Sequence, residues 1–91
     1  MSELVALLED TLTFAADPRY VDTDDIYSVW ESREELLAEI REHRDAARQG
    51  VADVPRLRLH YAPTAGLCEI ATSEGVATYL SLAARFDRLV G

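Results

Sequence analysis

Glu35, Glu39 and His43 follow one another at i, i+4 and i+8. On a helix, neighbours at that spacing share a face and are separated by a rise of roughly 6 Å, so adjacent members can share an ion. Three in a line cannot converge on one metal without a donor from elsewhere. A solvated acidic flank is the ordinary reading. His43 borders an apolar stripe and is expected to be partly buried and hydrogen-bonded. Asp22-Thr23-Asp24-Asp25 has the acid spacing of a calcium loop. An EF-hand begun at Asp22 would put Ile26 at the fifth position and Tyr27 where the loop needs glycine, so the match fails. Cys68 and His60 would approach one another across a hairpin. Leu67 and Ile70 flank the thiol, however, and free cysteine is usually buried and inert. The chain has no Gly-x-Ser-x-Gly, P-loop, Gly-x-Gly-x-x-Gly or His-Glu-x-x-His. No enzyme activity, catalytic residue, metal or cofactor is expected.

Charge is the sharper signal. The 91 residues carry 17 acids and 9 arginines, no lysine and one cysteine, for a formal net charge of −8. Length and composition imply one globular domain, and a lone cysteine excludes a disulfide-stapled scaffold. The acidic balance argues against direct binding to nucleic acid or an anionic membrane. Residues 1–40 hold eleven acids and two arginines, Arg19 and Arg33, a net of −9; residues 41–91 hold six acids and seven arginines, a net of +1. Tyr20, Tyr27 and Trp30 are interleaved with Asp17, Asp22, Asp24, Asp25 and Glu31, and Glu35 and Glu39 continue the acidic run. Aromatic anchors among steering carboxylates match an interface for a basic protein, and these ten residues are the candidate protein-binding set. The same aromatics also fit the core of a small domain with aspartates solvating a loop. Arg56, Arg58 and His60 form a cationic row expected to pair with the chain's own carboxylates.

The elements that must position these groups follow from periodicity. Ser2–Ala16 predicts an amphipathic helix, with Leu4, Leu8, Leu12 and Ala15 on one stripe, Ser2 as N-cap and Asp17-Pro18 as the stop. Arg19–Trp30 reads as a short strand or extended loop, with Ile26–Trp30 the strand-prone part, although Thr23 could cap a helical turn. Ser32–Arg48 predicts the clearest helix. Ser32-Arg33-Glu34-Glu35 matches a capping box, Leu36, Ile40, His43 and Ala47 form a narrow seam, and Gly50 ends the element. Val51–Pro55 reads as a linker. Arg56–Tyr61 then alternates as a strand, with Leu57, Leu59 and Tyr61 on one face. Leu67–Glu74 is either the return strand of a hairpin or a short helix with Gly75 as its C-cap. Val76–Val90 predicts a helix with a broad apolar arc, in which Asp87 would be buried against Arg56 or Arg58.

The expectation is an α+β, predominantly helical single domain of three or four helices with one short hairpin or one to two short strands. The expected function is a small acidic interaction module of a bacterial cytoplasm, an inhibitor of immunity, antitoxin or anti-defence type. Its partner would be a basic protein such as a nuclease or another nucleic-acid-binding protein. The alternative is a homo-oligomeric regulatory or accessory domain that dimerises through the last helix. The longest uncharged runs, Leu59–Cys68 and Gly75–Ala84, are half the length a spanning helix needs. The N-terminus lacks the basic start of a secretory signal, so neither membrane nor export is expected.

Overall fold

The computed structural model describes residues 3–21, 32–61 and 71–90. Four helices occur among them: α1 (Glu3–Ala16), α2 (Arg33–Arg48), α3 (Val54–Tyr61) and α4 (Ser73–Val90). Helices make up 81 % of the described residues and no strand or sheet occurs among them, so the described part of the domain is all-helical and the α+β expectation is corrected. The one extended pairing there is an isolated antiparallel bridge between Val21 and Ala71. The expected strand at Ile26–Trp30 and the return strand from Leu67 lie almost wholly outside the described residues.

The hairpin fails at its first strand, because Arg56–Tyr61 is helical. Asp53 is the reason. Its Oδ1 accepts the Arg56 amide at 3.2 Å and its carbonyl accepts the Leu57 amide at 3.0 Å, the two contacts of an N-cap. Pro55 then falls in the first turn, where its missing N–H costs nothing. Leu57 and Tyr61, four residues apart, are buried together, while Leu59 points away at 67 % exposure. Residues 51–53 still form a connection, but Val54 and Pro55 belong to the helix and not to a linker.

α2 follows its sequence closely. Ser32 caps it, with Oγ accepting the Glu35 amide at 3.2 Å. Its buried residues are Leu36, Ile40, His43 and Ala47. At its end Gly50 adopts φ +74° and donates to Ala47 O at 3.1 Å, while Val51 donates to Ala46 O at 2.9 Å. That is a Schellman closure, which favours glycine because the left-handed residue carries no Cβ.

The core is shared by all four helices. α1 packs against α2 and α4, and α3 packs against α4. Val5, Leu7, Leu8, Phe14 and Ala15 of α1 meet Leu36 and Ile40 of α2, Leu57 and Tyr61 of α3, and Tyr79, Leu82 and Phe86 of α4. The buried face of α1 is therefore rotated from the expected Leu4–Leu8–Leu12 stripe, and Leu4 and Leu12 are only half-buried. Thr11 lies inside that face at 1 % exposure because its hydroxyl is satisfied. It donates to Leu7 O at 2.8 Å and shares a 2.7 Å hydrogen bond with Tyr61 OH. The Tyr61 ring stacks on Phe86 with centroids 4.7 Å apart.

α4 starts earlier than expected. Thr72 caps it, and its Oγ1 accepts the Gly75 amide at 3.1 Å. Gly75 is thus inside the first turn and not a C-cap. A Cβ there would lie 2.0 Å from Tyr20 O, so only glycine allows α4 to approach the backbone after α1. Asp87 is exposed, contrary to the expected buried ion pair, and Arg56 pairs instead with Glu39. No helix among the described residues is long and apolar enough to cross a membrane.

Candidate functional site

Of the ten residues expected to bind a partner, Asp17, Tyr20, Glu35 and Glu39 are described. Asp22, Asp24, Asp25, Tyr27, Trp30 and Glu31 lie outside the described residues. The four have different surroundings. Asp17 is held by Arg19, whose backbone amide donates to Oδ1 at 2.9 Å and whose Nη2 donates to Oδ2 at 2.8 Å. Those bonds keep the Asp17 carboxyl below its ordinary pKa. Tyr20 is half-buried, stacks on Phe14 with centroids 5.9 Å apart and lies under the Arg19 guanidinium at 5.4 Å, so it is partly a core residue. Glu35 is exposed on α2 and supplies its amide to the Ser32 cap. Glu39, one turn on, faces α3.

What the structure does supply is the frame of the acidic segment 22–31. Val21 is fully buried and paired with Ala71 just before the segment. Thr72 ties the same place down, its amide donating to Tyr20 O at 2.8 Å and its hydroxyl to Arg19 O. Ser32 and Arg33 begin α2 just after it. Arg33 joins the two ends: Nη2 donates to Val21 O at 2.7 Å and Nη1 to Ala15 O, the carbonyl at the end of α1. One of the only two cations in the first 40 residues is therefore turned inward onto backbone carbonyls, and the other is engaged by Asp17. Sequence reasoning missed this role for Arg33. Its signal was an arginine at the first position of a helix, where the macrodipole disfavours a cation.

The arginines of the second half reach back to the helical acids of the first. Arg48 meets Glu9, Arg85 meets Asp10 and Arg56 meets Glu39, each at 2.7 Å. Arg44 and Arg48 also face Asp45, at 3.3 and 3.7 Å. Of the expected cationic row, Arg58 departs from Arg56 and His60 to donate to Val90 O at 3.4 Å. A helix explains the split, because positions 56 and 60 share a face and 58 does not.

Glu39, His43, Arg56 and His60 consequently meet between α2 and α3. Arg56 Nη2 donates to Glu39 Oε1 at 2.7 Å, while Glu39 Oε2 lies 3.8 Å from His60 Nε2. The His43 and His60 rings meet edge to face with centroids 5.3 Å apart. Burial outweighs the nearby Glu39 carboxylate and holds both imidazoles below their ordinary pKa, so both are neutral at pH 7. The Glu39–His43 spacing was visible in the sequence; His60 arrives only because residues 54–61 are a helix. No family model matches the chain, and no curated protein or solved structure matches it either.

Proposed function

We propose that the protein is an acidic interaction module that docks on a basic surface of another protein. A nuclease or other nucleic-acid-binding protein is the partner class its charge fits, and its carboxylates would occupy that partner's phosphate sites. The observation that supports this reading is the distribution of the arginines. Glu9, Asp10, Asp17 and Glu39 each have an arginine within 2.8 Å. Segment 22–31 contains Asp22, Asp24, Asp25 and Glu31 and no cation at all, and Arg33 closes its ends together while facing inward. A segment with fixed ends loses less freedom on binding, and its acids accelerate encounter with a basic partner. Tyr27 and Trp30 would be the anchors within it. The inhibitor class (immunity, antitoxin or anti-defence) and a cytoplasmic location belong to this reading.

The test is binding to nucleases and DNA-binding proteins encoded beside the gene, with the affinity measured across a salt series. The quadruple variant D22N/D24N/D25N/E31Q should lose both affinity and salt dependence, whereas E3Q/E74Q/D87N should retain them. Equal loss in the two variants would assign the effect to net charge and remove the segment as the site.

A second reading, a homo-oligomeric regulatory domain, is favoured by α4, where Val76 and Leu80 stand at i, i+4 with 38 % and 56 % exposure. Sedimentation at micromolar concentration separates the two: a strict monomer removes this second reading.

A further inference from the structure

Two i, i+4 pairs on separate helices face one another, Glu39 and His43 on α2 and Arg56 and His60 on α3. We propose that Glu39, His43 and His60 form a binding site for a divalent transition-metal ion of the zinc class. One donor atom from each lies within 4.8 Å of the other two. Zinc takes imidazole nitrogen and carboxylate oxygen at about 2.0–2.2 Å, which sets the edges of its coordination tetrahedron at about 3.3 Å. Glu39 Oε2 and His60 Nε2, at 3.8 Å, are already close to that edge.

The strongest pointer to a ligand is His43. It is only 7 % exposed, and its Nε2 is buried without a hydrogen-bond partner among the described residues. An orphan of that kind is costly unless something satisfies it. The carboxylate is also divided in the way a ligand needs. Oε1 is engaged by Arg56, which orients the group as outer-shell partners of metal ligands do, and Oε2 is turned towards His60. Two nitrogens and one oxygen suit zinc and its first-row neighbours; calcium and magnesium prefer oxygen throughout. Three protein donors leave a fourth tetrahedral position for water.

The experiment uses the untagged chain, stripped with a chelator and titrated with zinc chloride against a chromophoric competitor. The expected result is one zinc per chain, with E39Q and H60Q each weakening binding by about tenfold or more while helicity by circular dichroism is unchanged. Because the buried His43 is the substitution most able to disturb folding, its part is read in the unmodified chain. Imidazole nitrogen resonances of both His43 and His60 should shift on adding zinc. Absence of a complex at micromolar zinc, affinity unchanged in either variant, stationary His43 resonances, or equal preference for calcium would each overturn the site.

Discussion

Arg33→Met tests the frame of the acidic segment most sharply. The guanidinium donates one hydrogen bond to Val21 O and one to Ala15 O, and methionine keeps the side-chain stem while removing both. Hydrogen bonds from a charged donor are worth roughly 1.5–3 kcal/mol each when desolvated. Arg33 is half-buried, and Ala15 O sits at a helix end where water can replace the guanidinium. A loss of about 2–3 kcal/mol for the pair is therefore expected. Urea unfolding followed by circular dichroism is the assay. With a slope of about 1–3 kcal/mol/M for a small domain, the midpoint should fall by about 0.7–3 M at constant slope. Arg33→Lys should recover little, because an ammonium lacks the planar fork that reaches two carbonyls at once. A loss below about 0.5 kcal/mol, or full recovery by lysine, would refute the clamp.

Three further outcomes check the fold. Leu59→Ser should change stability by less than about 0.5 kcal/mol and Leu57→Ala should cost about 2–5 kcal/mol, whereas a strand would have made both core residues. Gly75→Ala should cost roughly 1–3 kcal/mol or more by thermal unfolding, since its Cβ meets the Tyr20 carbonyl and not a movable side chain. Burial pushes the Tyr61 hydroxyl up to about 12, against a partly offsetting hydrogen bond with Thr11. The raised value means that its contribution is complete below pH 10 and is lost as pH rises towards 12. The loss amounts to about 2–3 kcal/mol at 1.36 kcal/mol per unit, and Tyr61→Phe should abolish that alkaline phase.

The parts of the fold written in local pattern could be read directly. Ser32, Gly50 and the Leu36–Ile40–His43–Ala47 seam are all within one helix, and each appears where periodicity and capping place it. α3 reads as a strand in the sequence because Arg56–Tyr61 satisfies two periods at once, alternation at two and burial at four. Asp53 and Pro55 decide between them by capping the helix, a signal three residues outside the alternating run. The α1 face was misplaced because leucines surround the helix, and the bond to Tyr61 that permits Thr11 to be buried spans 50 residues. The same limit applies to the sites. Glu39 and His43 were visible as neighbours, but the donor from elsewhere that they needed came from α3. Arg33 stands in the sequence only as a member of the capping box, and its two carbonyl partners lie in segments that local pattern does not connect.

In the proposed function, charge acts from segment 22–31 rather than from the molecule as a whole. Isothermal titration against a partner nuclease or DNA-binding protein, repeated from low to high salt, measures this most directly. The wild type should lose affinity steeply as salt rises, and D22N/D24N/D25N/E31Q should bind weakly with a nearly flat salt profile. A quadruple variant that binds as tightly as the wild type, with the same salt slope, would remove segment 22–31 as the docking site.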